Sequence, residues 1–116
     1  MSDDFKLTLA ERRGLAWVVR VEGRLDARTA PRLIDYHAAS RIGAGHLVLI
    51  LSGVSFLSSS GVGALLVLAE RLKTEGGSLR IVTPSTAVRA PLELLNLHRF
   101  LSIDDSEDQA LAAVGA

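Results

Sequence analysis

Three consecutive serines stand directly before a glycine and an apolar stretch, and their position is the one with the most evident chemistry. Ser58, Ser59 and Ser60 precede Gly61, and the segment GVGALLVLAERLK (61–73) has helical spacing. A serine at such a helix start can act as the N-cap, because its hydroxyl accepts a hydrogen bond from a free amide of the first turn. A phosphate there would add about −1.5 to −2 charges at an end of the helix that tolerates them. We therefore keep both interpretations of Ser60, as a structural cap and as a phosphate acceptor.

Catalytic, metal and nucleotide chemistry fit the sequence poorly. The segment SSSGVG (58–63) does not match G-x-S-x-G, and it lacks the third glycine of a dinucleotide loop and the lysine of a P-loop. The histidines at positions 37, 46 and 98 fall in three different predicted elements, without ligand spacing. The chain has no cysteine. We expect a protein that is not an enzyme and that uses no metal and no cofactor.

The formal net charge is zero, but the charges are unevenly placed. Thirteen basic side chains balance thirteen acidic ones over 116 residues. Residues 12–41 carry seven arginines against three acids, whereas residues 42–69 carry no Asp, Glu, Lys or Arg. A neutral total argues against a nucleic-acid partner. The start, MSDDFKLTL, has no basic region before an apolar run, so we expect no secretion signal and a cytoplasmic protein.

The uncharged stretch is long enough to resemble a membrane span over residues 47–69. The sequence LSGVSFLSSSG (51–61) argues against this, because its glycines and small hydroxylated residues favour turns. We expect instead a doubly buried strand, LVLIL (47–51), then a turn-rich linker and a helix, with no membrane insertion.

The rest of the chain alternates between predicted strands and helices. Strands are predicted over 5–12, 15–23, 47–51, 78–83 and 99–103. Helices are predicted to follow Thr29, Ser60, Ser85 and Ser106 as caps, with a kink or a late start at Pro91 and a stop at Gly76-Gly77. The order β-β-α-β-α-β-α-β-α predicts a single α/β domain over residues 1–116. Its sheet should be mixed and mostly parallel, with the first strand antiparallel at one side.

The connection GRLDART (23–29) should lie beside the serines, because both connections leave the same end of a parallel sheet. Asp26 is predicted as a cap or turn residue, and in a sharper hypothesis as part of a functional site. Arg24 and Arg28 would then be the cations nearest to a phosphate.

The helix after Ser60 is predicted to have two apolar faces. One face should meet the sheet and contains Val62, Leu65, Leu66, Ala69 and Leu72. The other should lie outward below Ser60 and contains Gly63, Ala64, Val67 and Arg71. An outward face with so few charges suits docking to a partner. A phosphate on Ser60 would be costly to bury against that partner and would act as an off-switch.

Three blocks of this sequence resemble the STAS domain of the anti-sigma factor antagonist type. They are VEGRLDARTA (21–30), LVLILSGVSFLSSSGVGALLVLAERLKTEGGSLRIV (47–82) and VRAPLELLNLHRFLSI (88–103). Together they cover nearly the whole chain. The resemblance implies the mixed α/β fold described above.

The resemblance also implies a function. A protein of this type binds an anti-sigma factor that is a serine kinase and so frees a sigma factor. The kinase phosphorylates the serine before the glycine, here Ser60, and a phosphatase reverses this. Ser58 and Ile50 stand where the family usually has Asp, and Ser58 and Ser59 are rival phosphorylation sites. The predicted interaction surface comprises the 24–29 connection, the serines with Gly61, and the outer face of the next helix. The alternative is a STAS module that binds without phosphorylation, as a scaffold or a subunit of a transport complex.

Overall fold

A computed structural model describes residues 5–83 and 85–116 as an α/β fold with the predicted order of elements. The strands are β1 (Lys6–Arg13), β2 (Ala16–Leu25), β3 (His46–Leu57), β4 (Ser78–Val82) and β5 (Ser102–Asp104). The helices are α1 (Ala30–Ser40), α2 (Ser59–Thr74), α3 (Thr86–Leu94) and α4 (Glu107–Ala113).

The five strands form one sheet in the order β1-β2-β3-β4-β5, in which β1 is antiparallel to β2 and the other pairs are parallel. This confirms the predicted fold class. The central run Leu47–Leu51 is buried because both faces of the sheet are covered there. The larger core includes residues of α1, α2 and α3, whereas a smaller core joins the opposite face to α4.

The strand β3 is longer than predicted. The sequence indicated a strand over 47–51 and a turn-rich linker, but β3 continues to Leu57 because its second half pairs with β2 up to Leu25. The last predicted strand, 99–103, is also wrong in its bounds. Residues 97–99 form a 3₁₀ turn and only Ser102–Asp104 pairs, with β4.

The predicted helix ends are correct in part. Ser106 caps α4 as expected, since its hydroxyl accepts the Gln109 N–H at 3.2 Å. The predicted stop of α2 at Gly76-Gly77 is confirmed, because Gly76 has a φ of +90°. Thr29 precedes α1 but makes no capping hydrogen bond to it. Pro91 lies inside α3, which begins upstream at Thr86.

Candidate functional site

The carboxyl ends of β2 and β3 meet at one point of the sheet edge. The backbone N–H of Ser58 donates to the carbonyl of Leu25 at 3.0 Å. A Cβ on Gly61 would lie 2.4 Å from that same carbonyl oxygen and 2.9 Å from Leu57 Cδ1. A glycine is therefore required at position 61, because a side chain would force α2 away from the end of β2. The structure thus brings the 24–29 connection against the serines.

The N-cap of α2 is Ser58, so the prediction that Ser60 is the cap is wrong. The Ser58 hydroxyl accepts the backbone N–H of Gly61 at 3.2 Å. Ser59 and Ser60 belong to the first turn of the helix, and both are exposed. The hydroxyl of Ser60 makes no hydrogen bond within the described residues, so no such bond ties this side chain to the fold.

Asp26 organises the connection between β2 and α1. Its Oδ1 accepts the backbone N–H of Arg28 at 3.0 Å and that of Thr29 at 3.3 Å. The Thr29 hydroxyl accepts the Asp26 N–H at 3.0 Å and donates to the Arg24 carbonyl at 2.7 Å. The Thr29 hydroxyl therefore bonds within this turn and does not cap α1. The predicted turn role of Asp26 is confirmed by these bonds.

These contacts also set the charge state of Asp26. Desolvation alone would raise the pKa of its carboxyl group. The hydrogen bonds from Arg28 and Thr29, with the nearby charge of Arg24, outweigh that effect and hold the pKa below its ordinary value. Asp26 therefore stays ionised at neutral pH and provides a fixed negative charge next to two arginines.

The two arginines of the connection are placed differently. Arg24 lies over the ring of Phe56, with its guanidinium carbon 4.2 Å from the ring centroid, and its Nε lies 3.6 Å from Asp26 Oδ2. Its side chain is still 52% exposed. The side chain of Arg28 is exposed and has no ion pair or ring contact within residues 5–83 and 85–116. Arg28 is thus a cation that can receive an anion without giving up a partner.

The outer face of α2 is smaller than predicted. Gly63 is half-buried with open space beside its Cα, and Val67 is 38% exposed, so these two line the face below Ser60. The placement of Ala64 on this face is wrong, because Ala64 is buried, as is Leu68 one turn further on. α1 packs against α2, and a helix with two packed flanks buries more of its circumference.

Phe56 is a residue of this region that the sequence analysis missed. It is the second-to-last residue of β3, just before the serines, and it is 40% exposed. Reading 52–60 as a linker gave no reason to single it out. Predicting a longer strand would not have identified Phe56 as exposed either. Strict alternation puts Phe56 on the same face as Val54, which is buried. Its exposure depends on an irregularity in strand pairing that the sequence does not reveal.

Other features of the described chain lie away from the serines. A cavity of about 600 Å³ opens between α2, β4 and residues 97–102, where Leu66, Ala69, Leu97 and Phe100 line it. Within the residues that the structure describes, no three His, Asp or Glu side chains are grouped so that they could hold a metal ion. No helix there has the length and apolar character needed to cross a membrane.

Residues 7–110 match the STAS domain, and the chain belongs to that family. An anti-sigma F factor antagonist of Paenibacillus polymyxa is 28% identical over 110 residues, or 93% of each chain. The crystal structure of an anti-sigma factor antagonist from Mycobacterium paratuberculosis is 32% identical, with a TM-score of 0.86 over 100% of this chain and 98% of that one.

The fold is also shared with SpoIIAA in two states. The unphosphorylated protein is 24% identical, with a TM-score of 0.70 and coverage of 97% of both chains. The Bacillus cell fate determinant SpoIIAA in its phosphorylated form is 22% identical, with a TM-score of 0.61 over 95% of this chain and 98% of that one. At these identities, the likeness shows the fold alone.

Proposed function

We propose that this chain is a cytoplasmic anti-sigma factor antagonist that binds an anti-sigma factor with serine kinase activity, and that phosphorylation of Ser60 switches this binding off. The proposal draws its class of partner from the relatives, which are named as anti-sigma factor antagonists. It draws its switch residue from the resemblance, which implies phosphorylation of the serine directly before Gly61, and the exposure of Ser60 is compatible with that. A regulatory role by binding, rather than catalysis, also fits the absence of a recognisable catalytic arrangement in the motifs of the sequence.

The observation that carries the proposal is the division of roles among the three serines. Ser58 is engaged as the helix cap, whereas the Ser60 hydroxyl is exposed in the first turn beside the 24–29 connection. A kinase can therefore approach Ser60 without unfolding α2. Ser59 is exposed as well and remains the rival acceptor.

A phosphate on Ser60 would change the surface without breaking the fold. It would sit at the positive end of α2, which stabilises negative charge, and close to the connection that carries Arg28, a side chain without an ion pair among the described residues. The neighbouring outer face contains Gly63 and Val67 and no charge in its first two turns. A partner that buries this face would have to desolvate the phosphate, and that cost lowers its affinity.

The first experiment asks whether and where the chain is phosphorylated. Each anti-sigma serine kinase encoded with this protein in the same genome is purified and incubated with the chain, Mg²⁺ and ATP, and the intact mass is measured. We expect one phosphate on the wild type and on Ser59→Ala, and none on Ser60→Ala. A phosphate that persists in Ser60→Ala would move the switch to another serine. No phosphate with any kinase would favour the phosphorylation-independent module.

The second experiment measures binding to the kinase that acts on the chain. We expect Ser60→Ala to bind as the wild type does and Ser60→Asp to bind at least tenfold more weakly, about 1.4 kcal/mol. A phosphatase that removes the phosphate should restore the wild-type affinity. Equal affinities of the Ala and Asp variants would refute the switch.

A further inference from the structure

The second half of β3 contains two irregularities in its pairing with β2. The register shifts between Arg20 and Glu22, and again between Gly23 and Arg24, and each time β3 has one residue more than β2. The second shift leaves Ser55 as the extra residue between Val54 and Phe56. β-Bulges of this kind bend a strand and redirect the side chains that follow.

The second bulge turns Phe56 out of the core. Val54 and Leu57 are both buried in the larger core, so the inward positions are three residues apart instead of two. Phe56, which would otherwise follow Val54 inward, is placed opposite Arg24 on the other face of the sheet. An outward phenyl ring forgoes part of the apolar burial that it would have in the core. The question is therefore what the β-bulge gains by exposing the Phe56 ring at the edge of the candidate site.

A stacked arginine does not by itself explain why the Phe56 ring is placed outward. Among the described residues an arginine stacks on each of three rings, and Phe5 under Arg32 is only 6% exposed. Phe56 differs because 40% of it stays exposed even with Arg24 in place. Arg24 is in turn held by Asp26, whose carboxylate is fixed by backbone hydrogen bonds. Arg24 therefore covers only part of the ring and leaves the rest open to a partner.

We propose that Phe56, oriented by Arg24, is an anchor of the partner-binding surface and inserts into an apolar recess of the partner that carries carboxylates at its rim. The inference rests on the proposed function and extends its surface to the sheet face opposite α2. The serine loop lies at the edge between the two faces. A partner that holds both would enclose the phosphorylation site.

The charges around Phe56 indicate the partner's chemistry. Arg24 lies over the ring, and Lys6 and Arg20 lie further away on the same sheet face and are exposed. The acids of this region are the half-buried Glu22, Asp26 beside Arg24, and Glu107, which interacts with Arg20. The exposed charge that contacts the ring is thus the guanidinium group of Arg24. A recess with acidic side chains at its edge would complement it, and such rim charges act mainly on the association rate, while a buried aromatic anchor acts on the dissociation rate.

The test compares two phenylalanines that are both exposed. The purified anti-sigma kinase that phosphorylates the chain is used as the probe, and binding of unphosphorylated variants is followed by surface plasmon resonance. We expect Phe56→Ala to weaken binding at least tenfold, mainly through faster dissociation. Phe100→Ala is the matched control, since Phe100 is 74% exposed and lies away from the serines at the cavity beside α2, and it should bind as the wild type does.

Arginine variants separate the charge from the ring. Arg24→Gln should slow association and reduce its dependence on salt, whereas Arg12→Gln, which removes an equivalent stack over Trp17 on β1 and β2, should change neither. Thermal unfolding of each variant shows whether it is folded, and Phe56→Leu serves if the alanine variant is not.

The outcomes distinguish this inference from the proposed function. If Phe56→Ala and Phe56→Leu bind like the wild type while Ser60→Asp does not, the anchor is refuted and the switch stands. An equal loss in Phe56→Ala and Phe100→Ala also refutes the anchor. If the wild-type chain binds none of the kinases, the proposed function fails, and the anchor fails with it.

Discussion

Two glycines of the same helix should respond in opposite ways to the same substitution. Gly61 and Gly63 are two residues apart in α2, and neither has a positive φ. A Cβ on Gly61 would meet the Leu25 carbonyl oxygen at 2.4 Å and Leu57 Cδ1 at 2.9 Å, whereas a Cβ on Gly63 would have nothing within 4 Å. The helix propensity gained is similar at the two positions, so the difference between them measures the contact.

The magnitudes follow from two opposing effects. Replacing Gly by Ala inside a helix stabilises by about 0.5–1 kcal/mol. Forcing a methyl group into a packed site costs about 1–3 kcal/mol, and the cost should be near the upper end at Gly61 because its nearest neighbour is backbone. Gly61→Ala should therefore lower the free energy of unfolding by about 1.5–2.5 kcal/mol. Gly63→Ala should raise it by about 0.5–1 kcal/mol.

The assay is urea unfolding of the wild type and both variants, followed by fluorescence of Trp17, the only tryptophan of the chain. Thermal unfolding should agree, with a shift of about 4 °C for each kcal/mol in a domain of this size. If Gly61→Ala is as stable as Gly63→Ala, the close approach of α2 to the end of β2 is incorrect. The same result would remove the reason given for glycine directly after the serines.

Four further substitutions test other contacts. Ser58→Ala should destabilise the protein by about 1 kcal/mol through loss of the cap, while Ser60→Ala should change the unfolding free energy by less than about 0.5 kcal/mol; equal losses would contradict the assignment of the cap. Asp104→Asn should cost about 1.5–3 kcal/mol in urea unfolding, because Asp104 Oδ2 and Oδ1 accept from Arg80 Nε at 2.9 Å and Nη2 at 2.8 Å. An unchanged unfolding free energy would contradict a stabilising role of this pair. Desolvation and a neighbouring carboxylate raise the pKa of Glu107 above 4.5, so this group favours the native state at low pH and loses that contribution as pH rises through its raised pKa. Glu107→Gln should therefore flatten the dependence of the unfolding free energy on pH just above pH 4.5. An unchanged pH dependence would contradict the shift.

The order of elements was predictable because each element carries a strong local signal. The run Leu47–Leu51 has the apolar continuity of a strand buried on both faces, and Ser106 precedes a short helix as a cap. The meeting of the 24–29 connection with the serines was also predictable, since it follows from parallel strands having their carboxyl ends at one edge.

Features that depend on neighbours in space were not predictable. The segment 52–57 has the composition of a linker, yet pairing with β2 makes it a strand. Ala64 was assigned outward because helical spacing does not show which flanks are covered, and α1 packs against α2. The same limit applies to Phe56, whose exposure is decided by a bulge and not by its sequence neighbours.

The choice between Ser58 and Ser60 as cap has a consequence for the switch. The family usually has Asp at position 58, and an aspartate there could cap α2 as the Ser58 hydroxyl does. It would also place a carboxylate two residues before Ser60, where it would repel a phosphate. With serine at position 58 the cap is kept without charge, and residues 42–69 contain no formal charge at all. A phosphate on Ser60 would therefore be the first charge of that segment and would meet the cations of the 24–29 connection unopposed except by Asp26. Phosphorylation would then change the charge of this surface by about −1.5 to −2, with no carboxylate at position 58 beside it.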